Sequence, residues 1–115
     1  MLTTNTVIDG PAFRLDSSAL PASGVDDGEP RTDSVELLRS GAIEIGIWEI
    51  APGIATDTET DEVFVVLSGR ARVDIEGQAD PLELRAGTVG RLAAGARTRW
   101  TVTETLRKVY VLGTV

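Results

Sequence analysis

The fold of this 115-residue chain is decided by the stretch EVFVVLSGRARVDIEG at residues 62–77. Its first part, residues 63–67, is β-branched and aromatic and closes at Ser68-Gly69, which is typical of a strand that ends in a turn. In residues 70–75, charged residues alternate with apolar ones, and this period of two predicts a second, half-buried strand. Short strands punctuated by glycine therefore characterise this part of the chain.

The same pattern continues on both sides of this stretch. Ile43, Ile45 and Ile47 alternate with other residues until Pro52-Gly53 interrupts the run, and shorter strands are predicted at residues 82–84, 89–92, 98–103 and 109–112. Residues 34–38 fit one or two helical turns and an extended strand equally well. Many short strands between evenly spaced glycines predict an all-β fold, a sandwich or barrel of about eight to ten strands.

The N-terminal part of the chain differs in composition. Residues 10–34 are rich in Asp, Ser, Pro and Gly and lack a sustained apolar period. We expect residues 1–34 to form an extended arm with loops, in which the apolar pieces at residues 7–8 and 13 dock as edge strands. Residues 35–115 are expected to form the barrel.

Composition excludes several kinds of chemistry and several partners. The chain has no cysteine and no histidine, so thiolate nucleophiles, Cys-based metal sites and imidazole bases are ruled out. A net charge of −7 argues against nucleic acid and an anionic membrane as partners, since both require a basic surface. Because the sequence also shows no secretory signal and no membrane-length apolar run, we expect a cytoplasmic protein.

Charge is unevenly distributed along the chain. Residues 35–84 contain three basic and eleven acidic residues, whereas residues 85–115 contain six basic residues and one acidic residue. Either these segments pair as neighbouring strands, or the basic third forms an anion-binding face.

Two motifs carry a resemblance to a known family. The motif residues are Glu62, Gly69, Gly87, Gly95, Thr98 and Trp100. In order and spacing they resemble the two motifs of cupins, which are small jelly-roll barrels. The closing run WTVTETLRKVY at residues 100–110 is similar to the branch related to ureidoglycine aminohydrolase and the ethanolamine-utilisation cupin. The resemblance covers roughly residues 44–112 and implies a double-stranded β-helix, or jelly-roll barrel, with an N-terminal arm.

The same resemblance implies that this chain has lost the family's metal ligands. With a three-residue spacer, the positions of the three histidines and the glutamate fall on Thr56, Thr58, Thr98 and Glu62. A four-residue spacer instead puts the first two positions on Ala55 and Asp57. Because transition metals favour imidazole ligands, we expect no metal and no cofactor.

Residues 57–62 contain four carboxylates. They are Asp57, Glu59, Asp61 and Glu62. The preferred interpretation is a solvated acidic loop that leads into a strand. A loose Ca²⁺ or Mg²⁺ site is the alternative, since hard cations accept oxygen ligands alone.

Strand alternation converts the resemblance into a predicted site. If Glu62 points into the barrel, as the metal-binding glutamate does in cupins, Phe64 shares its face. An inward Thr98 likewise places Trp100 inward. The predicted ligand-binding residues are Trp48, Glu62, Phe64, Thr98, Trp100, Lys108 and Tyr110. A structural ion pair of Glu62 and Lys108 beneath core aromatic residues is the other interpretation.

Three functions are consistent with this pattern. The leading hypothesis is a metal-free cupin that binds a small polar molecule in the barrel. The second is a lyase, isomerase or aminohydrolase-like enzyme in which Glu62 is the base and Lys108 or Tyr110 the acid. The third is a structural or regulatory homodimer with a vestigial pocket, in which the arm docks on a partner subunit, because cupins commonly pair their sheets and exchange N-terminal strands.

Overall fold

The computed structural model describes residues 2–15, 20–21, 25–27 and 30–113. All regular secondary structure in these residues is β, which confirms the all-β prediction. The strands are Leu20–Pro21 (β1), Val25–Asp27 (β2), Arg31–Ser40 (β3), Ile43–Ile50 (β4), Gly53–Thr58 (β5), Glu62–Ile75 (β6), Leu82–Arg85 (β7), Val89–Leu92 (β8) and Arg97–Leu112 (β9). Part of the predicted arm, at residues 16–19, 22–24 and 28–29, lies outside the described residues.

The long strand β9 organises the barrel. Its C-terminal half pairs antiparallel with β4 and its N-terminal half with β5, while β6 runs along its other edge. β6 in turn pairs with β7 and β8. β9 therefore brings side chains of β4, β5 and β6 around one interior.

The two strands predicted on either side of Gly69 are a single strand, β6. Gly69 has a φ of +94°, and a Cβ at this position would lie 2.1 Å from the carbonyl oxygen of Thr105 on β9. The pairing of β6 with β9 shifts register around this glycine. Gly69 therefore bends the strand at a bulge and does not end it. The strands predicted at residues 98–103 and 109–112 are likewise continuous in β9.

β3 resolves the ambiguity at residues 34–38. These residues are extended and pair with β4, so the helical alternative is wrong. Leu37 is buried, and Val35 lies opposite the fully buried Ile47. β3 begins at Arg31, so the expected boundary between residues 34 and 35 falls inside a strand that already belongs to the sheet.

The N-terminal segment, residues 2–15, contains no strand, so the predicted edge strands at residues 7–8 and 13 are absent there. It contacts the barrel of its own chain through Arg107, whose Nη1 donates to the carbonyl oxygens of Gly10, Pro11 and Phe13. A buried guanidinium thus binds these carbonyl groups, and one backbone hydrogen bond, from the N–H of Leu2 to the carbonyl oxygen of Leu37, joins the segment to β3. Docking on a partner subunit stays a prediction.

Ion pairs connect the basic C-terminal third to acidic neighbours. They join Arg97 to Glu76, Arg107 to Glu49 and Lys108 to Glu62. The uneven charge along the chain therefore corresponds to pairing between adjacent strands.

The apolar core is built from β4 to β9. It comprises Ile50, Ala55, Phe64, Val66, Ala71, Val73, Leu84, Leu92, Trp100, Val102 and Leu106. Trp48 packs against this core. The described residues contain no helix with the length and apolar character needed to span a membrane.

Candidate functional site

The structure places all seven predicted site residues on inward faces of three strands. Trp48 belongs to β4, Glu62 and Phe64 to β6, and Thr98, Trp100, Lys108 and Tyr110 to β9. Trp48 is half-buried, and each of the others is at most 7% exposed. The strand register sets Trp48 opposite Lys108 and Phe64 opposite Tyr110.

The Lys108 ammonium lies at the centre of this group. Its Nζ is 2.6 Å from Glu62 Oε2, and both side chains are buried. Three aromatic rings surround the same nitrogen, with centroids at 4.6 Å for Trp48, 4.9 Å for Trp100 and 5.0 Å for Phe64. These distances lie within the range of cation–π attraction. One carboxylate and three aromatic rings therefore replace much of the water that an exposed ammonium would have.

The pKa of the Glu62 carboxyl is raised because the group is buried. Desolvation raises the pKa of Glu62 above its ordinary value, and the positive charge of Lys108 opposes this shift only in part. The negative charges of Glu59 and Asp57 raise it further. Glu62 Oε2 lies 2.6 Å from Lys108 Nζ and has no other donor among the described residues. Glu62 is accordingly a better proton acceptor than an exposed glutamate.

Tyr110 forms a hydrogen bond with a different carboxylate, that of Glu44. Its hydroxyl donates to Glu44 Oε2 at 2.6 Å. Burial, together with this hydrogen bond, raises the pKa of the Tyr110 phenol well above its ordinary value. A phenol this reluctant to ionise is a poor general acid. Of the two acids predicted from the sequence, the geometry favours Lys108.

Glu59 is a cavity residue that the sequence interpretation placed in a solvated loop. It is 9% exposed, and its Oε2 accepts hydrogen bonds from Thr98 Oγ1 at 2.7 Å and from Trp100 Nε1 at 3.2 Å. Its backbone pairs with Gly95 and Ala96 in the turn before β9, which holds this part of the chain against the barrel. Glu59 lies between strands, so no alternation of residue types could signal its orientation.

The remaining carboxylates of residues 57–62 differ from Glu59 in their surroundings. Asp57 is exposed but belongs to the strand β5 and not to a loop, whereas Glu62 is buried. Asp61 Oδ1 accepts a hydrogen bond from the backbone N–H of Ala94 at 2.9 Å. The single solvated loop predicted from the sequence is therefore corrected to two exposed or partly exposed and two buried carboxylates.

These side chains surround a cavity of about 510 Å³. Five of the predicted site residues line it: Trp48, Glu62, Trp100, Lys108 and Tyr110. Phe64 and Thr98 do not line it: Phe64 lies within the apolar core, and Thr98 donates a hydrogen bond to Glu59. Glu44, Asp57 and Glu59 also line the cavity. Its volume is that of an ordinary small-molecule site, for which about 300–1,000 Å³ is usual.

Comparison with known families identifies this architecture. Residues 37–110, more than half of the chain, match the EutQ-like cupin domain. The chain belongs to the EutQ-like cupin family. No curated protein matches it.

Solved structures support the cupin jelly-roll fold. The EutQ protein of Clostridium difficile has a TM-score of 0.75 at 20% identity, covering 93% of this chain and 85% of that one. A protein of unknown function from Acidithiobacillus ferrooxidans has a TM-score of 0.62 at 30% identity, covering 89% and 92%. A cupin superfamily protein from Desulfitobacterium hafniense has a TM-score of 0.60 at 15% identity, covering 73% and 78%.

In this cupin, strand register selects between the two spacers considered for the metal positions. Ala55 and Asp57 lie opposite the inward-facing Trp100 and Thr98, so they share the inner face. Thr56 and Thr58 pair with Arg99 and Arg97 instead, although both also border the cavity. Strand register therefore favours Ala55 and Asp57, the positions of the four-residue spacer, over the expected Thr56 and Thr58.

The residues at the cupin metal position do not fit a transition metal. The side chain of Ala55 has no ligating atom, and Thr98 Oγ1 already donates to Glu59. Glu62 Oε2 is already engaged by the Lys108 ammonium at 2.6 Å and is not free to bind a metal ion. Among the residues that the structure describes, no group of three or more Asp or Glu side chains is arranged to hold a metal ion.

Proposed function

We propose that this cupin binds a small polar molecule in its barrel cavity without a metal ion. The observation that carries the proposal is the cavity of about 510 Å³, in which carboxylates and an ammonium accompany two tryptophan rings. Aromatic walls supply contact area, and a few charged groups fix the orientation of a ligand. The alternative of a filled, purely structural core is less well supported by a cavity of this volume.

Tryptophan fluorescence tests this proposal directly. The chain has two tryptophans, Trp48 and Trp100, and both line the cavity. A panel of small cationic, anionic and neutral polar compounds is titrated, and we expect at least one class to change the emission saturably.

A variant pair on β3 shows whether the change arises in the cavity. Ser34→Phe adds bulk at a lining position opposite Trp48, and Ser40→Phe adds the same bulk at an exposed position. Ser34→Phe should abolish the change, and Ser40→Phe should retain it. No response across the panel, or equal responses of both variants, would refute the proposal.

Elemental analysis tests the metal-free part separately. Protein purified without chelator should contain only substoichiometric Mn, Fe, Ni and Zn. One equivalent of any of these metals per chain would contradict the proposal.

A second candidate function is proton-transfer catalysis, which the Glu62–Lys108 contact at 2.6 Å favours. Glu62 would take a proton from a substrate carbon, and Lys108 would donate one to another substrate atom. A compound found by fluorescence is incubated with the protein in D₂O and its C–H exchange followed by NMR. Wild type should exchange the proton and Glu62→Gln should not. Equal exchange by both would exclude this role.

A third candidate is a homodimer formed through the outer face of the sheet. Val63, Val65 and Val89 are 37%, 38% and 68% exposed, and Val65 lies opposite both Val89 and Val109. These side chains carry no charge, so two copies of a chain with net charge −7 can approach each other there. Sedimentation should give a dimer that Val65→Glu dissociates and Thr103→Glu, at an exposed polar position, does not. A monomeric wild type at high concentration would contradict this candidate.

A further inference from the structure

Carboxylates outnumber cationic groups in the cavity lining. Glu44, Asp57, Glu59 and Glu62 line the cavity together with one ammonium, that of Lys108. Glu62 is paired with Lys108, and Glu44 accepts hydrogen bonds from neighbouring side chains. Glu59 differs, because no cationic side chain of the described residues lies within ion-pair distance of it. The cavity thus contains a buried carboxylate without a counter-charge.

One oxygen of Glu59 is available to a molecule in the cavity. The residue is 9% exposed and Oε2 is occupied by Thr98 and Trp100, but Oε1 has no hydrogen-bond partner among the described residues. Oε1 is not among the fully buried side-chain oxygens, so a molecule in the cavity can reach it. A ligand that carries a charged N–H donor into the cavity would give this oxygen a charge-assisted hydrogen bond.

Lys108 shows that an ammonium group can be buried among the carboxylate and aromatic groups at this cavity. Its Nζ is buried among a carboxylate and three aromatic rings, and two of these rings, Trp48 and Trp100, also line the cavity. The rings present their electron-rich faces to positive charge. An anion in the cavity would meet several carboxylates at short range.

We infer that the ligand of the cavity is a small organic cation whose primary ammonium group donates a hydrogen bond to Glu59 Oε1. The inference rests on the proposed function and names the chemical class of its ligand. The charge of the ammonium compensates Glu59, and its N–H groups supply the donor that Oε1 lacks. A quaternary ammonium provides the charge without the donor and should bind less well.

Four probes of similar size separate these contributions. They are n-propylammonium, tetramethylammonium, 1-propanol and propionate, each titrated at neutral pH and followed by tryptophan emission and calorimetry. n-Propylammonium should bind about tenfold or more tightly than any of the others, because it alone combines charge with N–H donors. Propionate binding as tightly as n-propylammonium would overturn the inference.

Two glutamate variants locate the effect. Glu59→Gln keeps the shape of the side chain and removes its charge, and it should weaken n-propylammonium binding about tenfold. The control Glu104→Gln alters an exposed ion pair with Arg70 and should leave binding unchanged. Equal affinities of the two variants would overturn the inference.

Asp57→Asn extends the test in case Glu59→Gln does not fold. Asp57 lines the cavity at an exposed position, where substitution is well tolerated. The variant should weaken n-propylammonium and strengthen propionate, each by a few-fold, and no change for either probe would contradict a cation-selective cavity.

The outcomes distinguish this inference from the proposed function. If an anionic or neutral compound of the panel binds and n-propylammonium does not, the cavity still binds a ligand and only the ammonium class is wrong. If no compound binds, the proposed function itself fails.

Discussion

Lys108 on β9 and Glu62 on β6 form an ion pair of 2.6 Å between the two longest strands of the barrel. The Lys108 ammonium also faces the rings of Trp48, Phe64 and Trp100. Each charge is buried, so each depends on the other for compensation. The two residues should therefore behave as one energetic unit.

Lys108→Met tests this dependence. The substitution leaves Glu62 buried without a counter-charge and should lower the free energy of unfolding at neutral pH by about 3–5 kcal/mol. The double variant Lys108→Met/Glu62→Gln removes both charges and should lose much less than the sum of the two single losses. Urea unfolding of the four proteins measures the coupling. Additive losses would show that the two charges are independent.

The raised pKa of Glu62 predicts a pH dependence of stability. The folded protein binds the Glu62 proton more tightly than the unfolded chain, for which the ordinary pKa is 4.5. The stabilisation that comes from this tighter proton binding is therefore complete below pH 4.5. It is lost as the pH rises through the raised pKa of Glu62. Relative to Glu62→Gln, wild type should become less stable from acid to neutral pH. Parallel stability curves from urea unfolding would contradict the raised pKa.

Tyr110 can be titrated without interference, because it is the chain's one tyrosine. Burial and the hydrogen bond to Glu44 raise the pKa of its phenol, so phenolate absorbance should appear only well above pH 10. Glu44→Gln removes one cause and should lower the midpoint, while the exposed Glu104→Gln should not. Circular dichroism recorded in parallel shows that the fold persists. A midpoint near 10 in folded wild type would refute this environment.

Gly46 should not tolerate a side chain. A Cβ there would lie 2.3 Å from both the Tyr110 hydroxyl and the carbonyl oxygen of Val35 on the adjacent strand. Gly46→Ala should therefore cost about 3 kcal/mol or more, because backbone as well as side chain must move. Gly77→Ala enters open space at a φ of +85° and should cost about 1 kcal/mol from backbone strain alone. Equal losses on urea unfolding would contradict this close packing.

Much of the fold and part of the site follow from local sequence pattern. The alternation around Glu62 places Phe64 on the same face, and the alternation around Trp100 does the same for Thr98. The regular spacing of glycines correctly predicted β structure, but it placed a strand end at Gly69, which lies inside β6. Gly69 meets the backbone of a strand far away in sequence and produces a bulge, a contact that local composition does not reveal.

The pairing of distant strands decided which residues share the cavity. The register of Asp57 with Thr98 is what places Asp57 on the inner face. Alternation along a strand shows which residues share a face, but it does not show which face is buried. Glu59 lies outside that period altogether and enters the cavity through backbone pairing with Gly95 and Ala96.

By itself, the sequence determined an all-β chain of the cupin pattern without histidine, and the residues that lie together on each strand face. The sequence named an ion pair of Glu62 and Lys108 as one of two interpretations, and only the tertiary structure decided that these two side chains are in contact and that Glu59 is buried beside Trp100. The physical reason is that alternation is a local property of the backbone, whereas burial and charge compensation depend on contacts between strands far apart in the chain.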